Sequence, residues 1–204
     1  MQVVCLDLEG VLIPEIWINV AERLDVPDLR LTTRDIADYD ELMQTRLRIL
    51  AREGIKLKDI RDTIQQMSPL PGACEFVDKL QELAPLVILS DTFVQFAGPL
   101  MSQLGNPTLF CNELVIDETG TILGYRLRQQ DGKRRAVEAF HSMNLKVVAA
   151  GDSYNDVSML KEADSAAFFR APEDIAAQFP QFPRFDDYKQ LLDFICEQVG
   201  KQKN

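Results

Sequence analysis

The sequence predicts an α/β fold: a Rossmann-like parallel-sheet core, a small helical cap inserted after the first strand, and a β-hairpin further along. Three observations carry this. The runs QVVCLD at 2–7, LVILSD at 86–91 and KVVAAGD at 146–152 are apolar on both faces, as strands buried in a parallel sheet are. Segments of helical period separate them, which gives the strand–helix alternation of a crossover sheet. From Pro14 to Pro69 the alternation stops, and only polar helical runs appear.

Taken in order, the first strand leads into EIWINVAERL, ADYDELMQTRLRILARE and KLKDIRDTIQQM, too much polar helix for one crossover. They are assigned to a cap over residues 14–70, with the core formed by 1–13 and 71–204. In the core, PGACEFVDKLQELA (71–84) and VQFAGPLMSQLG (94–105) read as helices, and Pro99 is expected to kink or break the second. ELVIDETGTILGYRLR (113–128) alternates apolar and polar residues around Asp117-Glu118-Thr119-Gly120, a hairpin pattern. KRRAVEAFHSM (133–143), NDVSMLKEA (155–163) and YKQLLDFICEQV (188–199) are helical, and SAAFF (165–169) is a further strand.

Composition removes several function classes. The 204 residues carry 22 Lys+Arg against 32 Asp+Glu, a formal charge of −10, so neither nucleic acid nor an anionic membrane is an expected partner. A single histidine, His141, cannot supply a histidine cluster for zinc; near a helix end, it reads as a capping or surface residue. Arg126, Arg128, Arg134 and Arg135 read as local ion pairs. No stretch approaches the roughly 20 apolar residues of a membrane span. Asp7 and Glu9 interrupt the first apolar run before a secretory core can form. The four cysteines are far apart with no CxxC pair, so the expected location is the cytoplasm, with reduced thiols. Cys5 and Cys74 are expected to be small buried hydrophobes. The oligomeric state stays open, a homodimer included.

Each core strand ends in acids or hydroxyls: Asp7 with Glu9, Ser90 with Asp91, Asp152 with Asn155 and Asp156. One such acid is ordinarily a solvated loop residue or a helix cap. Three strand ends in a parallel sheet converge on one edge, and Gly10 and Gly151 permit close backbone approach, which together indicate a site.

Asp7-Leu8-Glu9-Gly10-Val11-Leu12 resembles the first motif of the haloacid dehalogenase-type phosphatases. Ser90-Asp91-Thr92 resembles their second motif, Lys133 stands at the place of a third-motif lysine, and Gly151-Asp152-Ser153-Tyr154-Asn155-Asp156 resembles the fourth. Such enzymes transfer a phosphoryl group to an aspartate and then to water or an alcohol. A carboxylate nucleophile needs no base to deprotonate it, which suits a chain with one histidine. The resemblance implies Mg²⁺, a hard ion that takes oxygen ligands. It makes Asp7 both nucleophile and metal ligand, Asp152 a ligand, and residue 9 a ligand through its carbonyl. Asp156 is then a ligand or a group that orients one. Lys133 would neutralise phosphate charge, and Ser90 with the N–H groups after it would hydrogen-bond the phosphate, with Asp91 and Asn155 beside it.

Glu9 departs from the pattern, which has Asp at the position of the general acid and base. Its extra methylene moves the carboxyl, and misplaced acid–base help would let an alcohol compete with water. Within the family the chain is most similar to the phosphoserine phosphatase branch. That branch implies that Glu15 pairs the substrate ammonium and that Arg46 grips its carboxylate as a planar fork, with Arg48 the substitute if the helix is rotated. The bland alternatives are a Glu15 that complements a helix dipole and arginines on a wet helix face. Nearer still are those members that also transfer phosphate to homoserine. Pro14-Glu15-Ile16-Trp17, Arg34-Asp35-Ile36, Leu89-Ser90-Asp91-Thr92-Phe93 and Gln178-Phe179-Pro180-Gln181-Phe182-Pro183 all fit them. The expected partners are thus small molecules, phosphoserine and homoserine. A nucleotide or sugar phosphate is the alternative substrate, and a receiver-like phospho-accepting domain the alternative class. Trp17, Phe93 and Phe96 read as packing, although Phe93 follows the second motif closely enough to line a pocket.

Overall fold

The computed structural model describes residues 1–33, 35–36 and 38–200; Arg34, part of the Arg34-Asp35-Ile36 match, lies outside the described residues. The strands are β1 (Gln2–Leu6), β2 (Leu86–Phe93), β3 (Thr108–Ile116), β4 (Ile122–Arg126), β5 (Lys146–Gly151), β6 (Ser165–Phe169) and β7 (Arg184–Phe185). They form one sheet in the order β4-β3-β2-β1-β5-β6-β7, parallel except for the antiparallel β3–β4 pair. The chain runs outward from β1 in one direction through β2 and β3, and in the other from β5 to β7. The order therefore reverses at β1, where α/β sheets bind ligands at the carboxyl edge.

Both faces of the central strands are buried, as their uninterrupted apolar runs require. Val4, Leu6, Ile88, Val148 and Ala150 point into one apolar cluster, while Val3, Cys5, Val87, Leu89, Val147 and Ala149 point into the other. The first cluster is covered by α4 (Ala73–Leu83), α5 (Val94–Gln103) and α9 (Tyr188–Gly200). The second is covered by α6 (Gly132–Ser142), α7 (Val157–Glu162) and α8 (Glu173–Gln178).

Between β1 and α4 lie α1 (Ile16–Arg23), a 3-10 turn (Pro27–Arg30), α2 (Tyr39–Glu53) and α3 (Leu57–Ile64). Asp38 starts α2 by accepting the Glu41 N–H at 2.8 Å, and left-handed Gly54 ends it. The apolar faces of these helices share the first cluster with the sheet, through Ile16, Val20, Leu29, Met43, Leu50 and Ile60. The β3–β4 turn braces them from the side: the Leu57 N–H donates to Gly120 O at 3.0 Å and Lys56 Nζ to Thr119 O at 3.2 Å.

Two expectations are corrected. Helix α5 is not broken at Pro99 and runs on from Val94 to Gln103. Proline removes the N–H that would bond the carbonyl four residues back, Gln95, and Arg61 Nε of α3 donates to that carbonyl instead, at 2.9 Å. Cys74 is exposed on the first turn of α4, whereas Cys5 is buried, its thiol pushed up to about 12 by desolvation. The hairpin stands where expected, but β3 starts five residues earlier than the alternation suggested, because Thr108–Cys111 is only partly covered. Three of the four arginines make ion pairs: Arg134 bridges Asp131 and Glu138, Arg135 reaches Glu138 at 2.7 Å, and Arg126 lies 4.0 Å from Glu113. Arg128 instead donates to Gly132 O at 2.9 Å and lies over the Phe110 ring.

Arg61→Ala should lower the unfolding free energy by about 1 kcal/mol, the net worth of one hydrogen bond. In a Pro99→Ala background, where the missing N–H is restored, the loss should shrink, and a double-mutant cycle in urea measures the difference.

Candidate active site

The register sets the site. Leu6 lies opposite Ile88 and Ala150, so Asp7, Ser90, Asp91 and Asp152 leave the sheet at one edge. Asp7, Ser90, Asp152, Asp156 and Lys133 are all buried. Lys133, from the first turn of α6, reaches across with Nζ 2.8 Å from Asp7 Oδ1, 2.6 Å from Asp156 Oδ1 and 3.7 Å from Asp91 Oδ2. Burial alone would lower the ammonium's pKa, but the carboxylates of Asp156, Asp7 and Asp91 hold it well above its ordinary value.

The acids are crowded. Burial, then the charge of Asp156, raises Asp7 well above the usual carboxylate range, against the pull of Lys133. Burial and Asp156 likewise push Asp152 up to about 7. Among the described residues, Asp7, Asp152 and Asp156 each offer an oxygen within 4.8 Å of the others. Fully ionised, three carboxylates against one ammonium would carry two excess negative charges, which is the repulsion that raises Asp7 and Asp152, and the donors are all oxygen. A divalent hard cation fits both the charge and the donor chemistry. Asp156 is the most committed of the three: its Oδ2 accepts the N–H groups of Asp152 and Ser153 at 2.9 and 3.1 Å, and its Oδ1 takes Lys133. That assigns it to orienting the loop, while Asp7 and Asp152 present oxygens to the cavity. Two glycines make the crowding possible. A Cβ on Gly10, whose φ is +75°, would lie 2.3 Å from Asp152 Oδ2, and one on Gly151 would lie 2.4 Å from Asp156 Cγ.

The remaining expected residues gather around the same cavity, whose lining includes Asp7, Glu9, Glu15, Arg46, Ser90, Asp91, Asp152 and Asn155. Asn155 Nδ2 donates to Asp91 Oδ2 at 3.0 Å, and Ser90 Oγ accepts the Thr92 N–H at 3.2 Å. Glu9 Oε2 accepts the N–H of Ile16 at 2.8 Å, the first residue of α1. Burial and the charge of Glu15 push the Glu9 carboxyl up to about 8, opposed by this bond and by Arg46. Glu9 thus satisfies the helix end, and the Glu15 carboxylate, at the cap position itself, makes no capping bond and faces the cavity.

Arg46 is buried on α2, with its guanidinium 4.6 Å from the centre of the Trp17 ring. Nη2 donates to Leu31 O at 2.7 Å, while Nε has no partner among the described residues. Burial lowers its pKa to about 10 against the charges of Glu9, Tyr39 and Glu15, so it stays a cation at neutral pH. Arg48 is exposed and turned away, bonded to Thr45 Oγ1. The wet-face reading holds for Arg48 and fails for Arg46.

Phe93 is packing, edge-on to Phe96 and Tyr125. Trp17 both packs on Phe96 and lines the cavity, so reading it as packing alone missed half its part. Tyr39, Leu42, Thr32 and Thr33 also line the cavity and were not singled out from the sequence.

Residues 1–164 match a sequence profile described as haloacid dehalogenase-like hydrolase. The chain belongs to the haloacid dehalogenase-like hydrolase family. It is 55% identical over 191 residues to phosphoserine phosphatase ThrH of Pseudomonas aeruginosa, covering 94% of this chain and 93% of that one. It is 54% identical to a phosphoserine phosphatase of Pseudomonas syringae pv. tomato, covering 94% of this chain and 81% of that one. The solved phosphoserine phosphatase of T. onnurineus superposes with a TM-score of 0.73 at 25% identity, over 96% of this chain and 94% of that one. A substrate-bound phosphoserine phosphatase complex shares the fold at a TM-score of 0.76 and 16% identity, over 95% and 97% of the two chains. No helix among the described residues of this family member is long and apolar enough to cross a membrane.

Lys133→Met would leave the buried carboxylates uncompensated, and stability should fall by about 3 kcal/mol in urea unfolding. Gly10→Ala should displace Asp152 and abolish divalent-cation binding in calorimetry, since the methyl group overlaps the carboxylate.

Proposed function

We propose that the protein hydrolyses phosphoserine through an aspartyl phosphate on Asp7, with Mg²⁺ as cofactor, and also passes the phosphoryl group to homoserine. The observation that carries the substrate reading is Arg46: a buried guanidinium with an unpartnered Nε, in the wall of the cavity that contains Asp7. A buried donor left without a partner is costly, and a substrate carboxylate would satisfy it. Glu15 faces the same space and complements an ammonium. An amino-acid head group thus meets both charges, and its phosphate is left to the sheet edge.

In this reading the Asp7 carboxylate attacks phosphorus while Lys133 neutralises charge and fixes the carboxylate's direction. Ser90 and the N–H groups after it hold the phosphate oxygens. Glu9 gives a proton to the departing serine oxygen and later takes one from the acceptor. Asp7 and Asp152 would hold the Mg²⁺, with the carbonyl of residue 9; when bound, the ion offsets negative charge on the phosphate and the nucleophile. Homoserine presents the same ammonium and carboxylate on a longer alcohol arm, so one clamp serves donor and acceptor in turn. The name of the Pseudomonas aeruginosa relative supports the first activity, hydrolysis of phosphoserine. Four unpaired cysteines suit a cytoplasmic enzyme.

Incubation with phosphoserine and Mg²⁺, with and without homoserine, should release phosphate and form phosphohomoserine; Asp7→Asn should abolish both. A stable phosphoprotein without turnover would favour a receiver-like domain. Arg46→Ala should reduce kcat/KM for phosphoserine by about 100-fold, the worth of a charge-assisted bond, and barely change turnover of p-nitrophenyl phosphate. An equal loss on both would favour a phosphate ester that lacks the carboxylate. Glu9→Asp, too short for the Ile16 N–H, should raise the share of phosphate released to water when homoserine is present, which product analysis reads directly.

A further inference from the structure

A second cavity, of about 360 Å³, adjoins the substrate cavity, and Thr33, Tyr39, Asp91 and Asn155 line both. Its rim is formed by exposed residues, Gln129, Gln130, Asp131 and Tyr154, so it opens to solvent. Except for Asn155, every described residue that lines the substrate cavity is buried or half-buried. Lys133 lines the wet cavity while its Nζ touches Asp7. Solvent therefore stands one side chain away from the nucleophile, on the far side of a thin partition.

That partition is a chain of hydrogen bonds. Tyr39, the first residue of α2, donates its hydroxyl to the Asp91 carbonyl at 2.9 Å. The same carbonyl accepts Asn112 Nδ2 at 3.3 Å, and the Asp91 carboxylate accepts Asn155 Nδ2 at 3.0 Å. The Tyr39 ring is braced edge-on by Tyr125 of β4, centroids 5.9 Å apart, and the Tyr125 hydroxyl bonds Asp40 on the next residue of α2. Among the described members of these hydrogen bonds, Tyr39 comes from the helical segment, and Asp91, Asn112 and Asn155 come from the sheet and its edge.

We infer that Tyr39 selects the phosphoryl acceptor, by sealing the substrate cavity from the wet cavity while Asp7 carries phosphate. This rests on the aspartyl-phosphate reading above. In the second half-reaction an acceptor oxygen bonds phosphorus as the bond from phosphorus to the Asp7 oxygen breaks. The electron pair returns to the carboxylate, and the acceptor's proton passes to Glu9. Water and an alcohol compete for this one step, and only the alcohol of an amino acid is held by Arg46 and Glu15. A partition that excludes water favours the held alcohol; a breached one favours hydrolysis.

Labelled serine tests this with the full chain, phosphoserine and Mg²⁺. Label that enters phosphoserine counts transfer to the alcohol, and free phosphate counts transfer to water, so their ratio reads the partition of one intermediate. Tyr39→Phe keeps the ring and loses the bond; the ratio should fall about five-fold, the equivalent of one hydrogen bond. Tyr39→Ala, which removes the ring, should lower it further. A merely structural role would slow both reactions together, and an unchanged or higher ratio in Tyr39→Phe overturns the inference, as does the absence of exchange in the unaltered protein. If the unaltered protein releases no phosphate from phosphoserine, the substrate reading falls and takes this inference with it.

Discussion

The arrangement of the sheet edge depends on one buried ammonium. Lys133 is the only cation that touches Asp7 and Asp156 among the described residues, and all three are nearly inaccessible to water. Without it, three carboxylates would face one another in a medium that screens them poorly. With it, α6 is tied to β1, to β2 and to the loop after β5, so the elements that carry Asp7, Asp91 and Asp156 are held in one frame. The donors left beside it are carboxylate oxygens, a set that a divalent hard cation would fit.

A second constraint is steric. Gly10 and Gly151 let Asp152 and Asp156 come as close as they do, and any side chain at either position would occupy the space of a carboxylate. Electrostatic and steric requirements thus converge on the same few cubic ångströms. The helical segment then adds what the sheet lacks: the buried guanidinium of Arg46, the carboxylate of Glu15 and the ring of Tyr39 in the wall of the cavity. Its attachment is distributed. Glu9 holds the start of α1, Tyr39 the start of α2, and the β3–β4 turn the start of α3.

Much of this was legible in the chain itself. The apolar runs that end in Asp7, Asp91 and Asp152 announced buried parallel strands, because only such strands can be apolar on both faces. Their shared endings announced a common edge. The four motifs then placed Lys133 beside acids far from it in sequence. Where the reading failed, it failed for lack of partners: Pro99 looks like a helix breaker until Arg61 is seen to occupy the carbonyl it orphans. Cys74 and Thr108–Cys111 differ from expectation through exposure, which depends on what covers a segment rather than on what it contains.

The sequence by itself determined the sheet, its acidic edge, the helical insertion and the family, since each is written as a local pattern or an ordered set of motifs. Only the tertiary structure decided between Arg46 and Arg48, because the rotation of α2 about its axis is set by packing against Trp17 and the sheet. It also decided that Glu9 rather than Glu15 caps α1, which frees one carboxylate for the cavity, and that Tyr39 lines two adjoining cavities with its hydroxyl on the Asp91 carbonyl. These outcomes depend on distances of a few ångströms between residues far apart in the chain, and no local pattern encodes them.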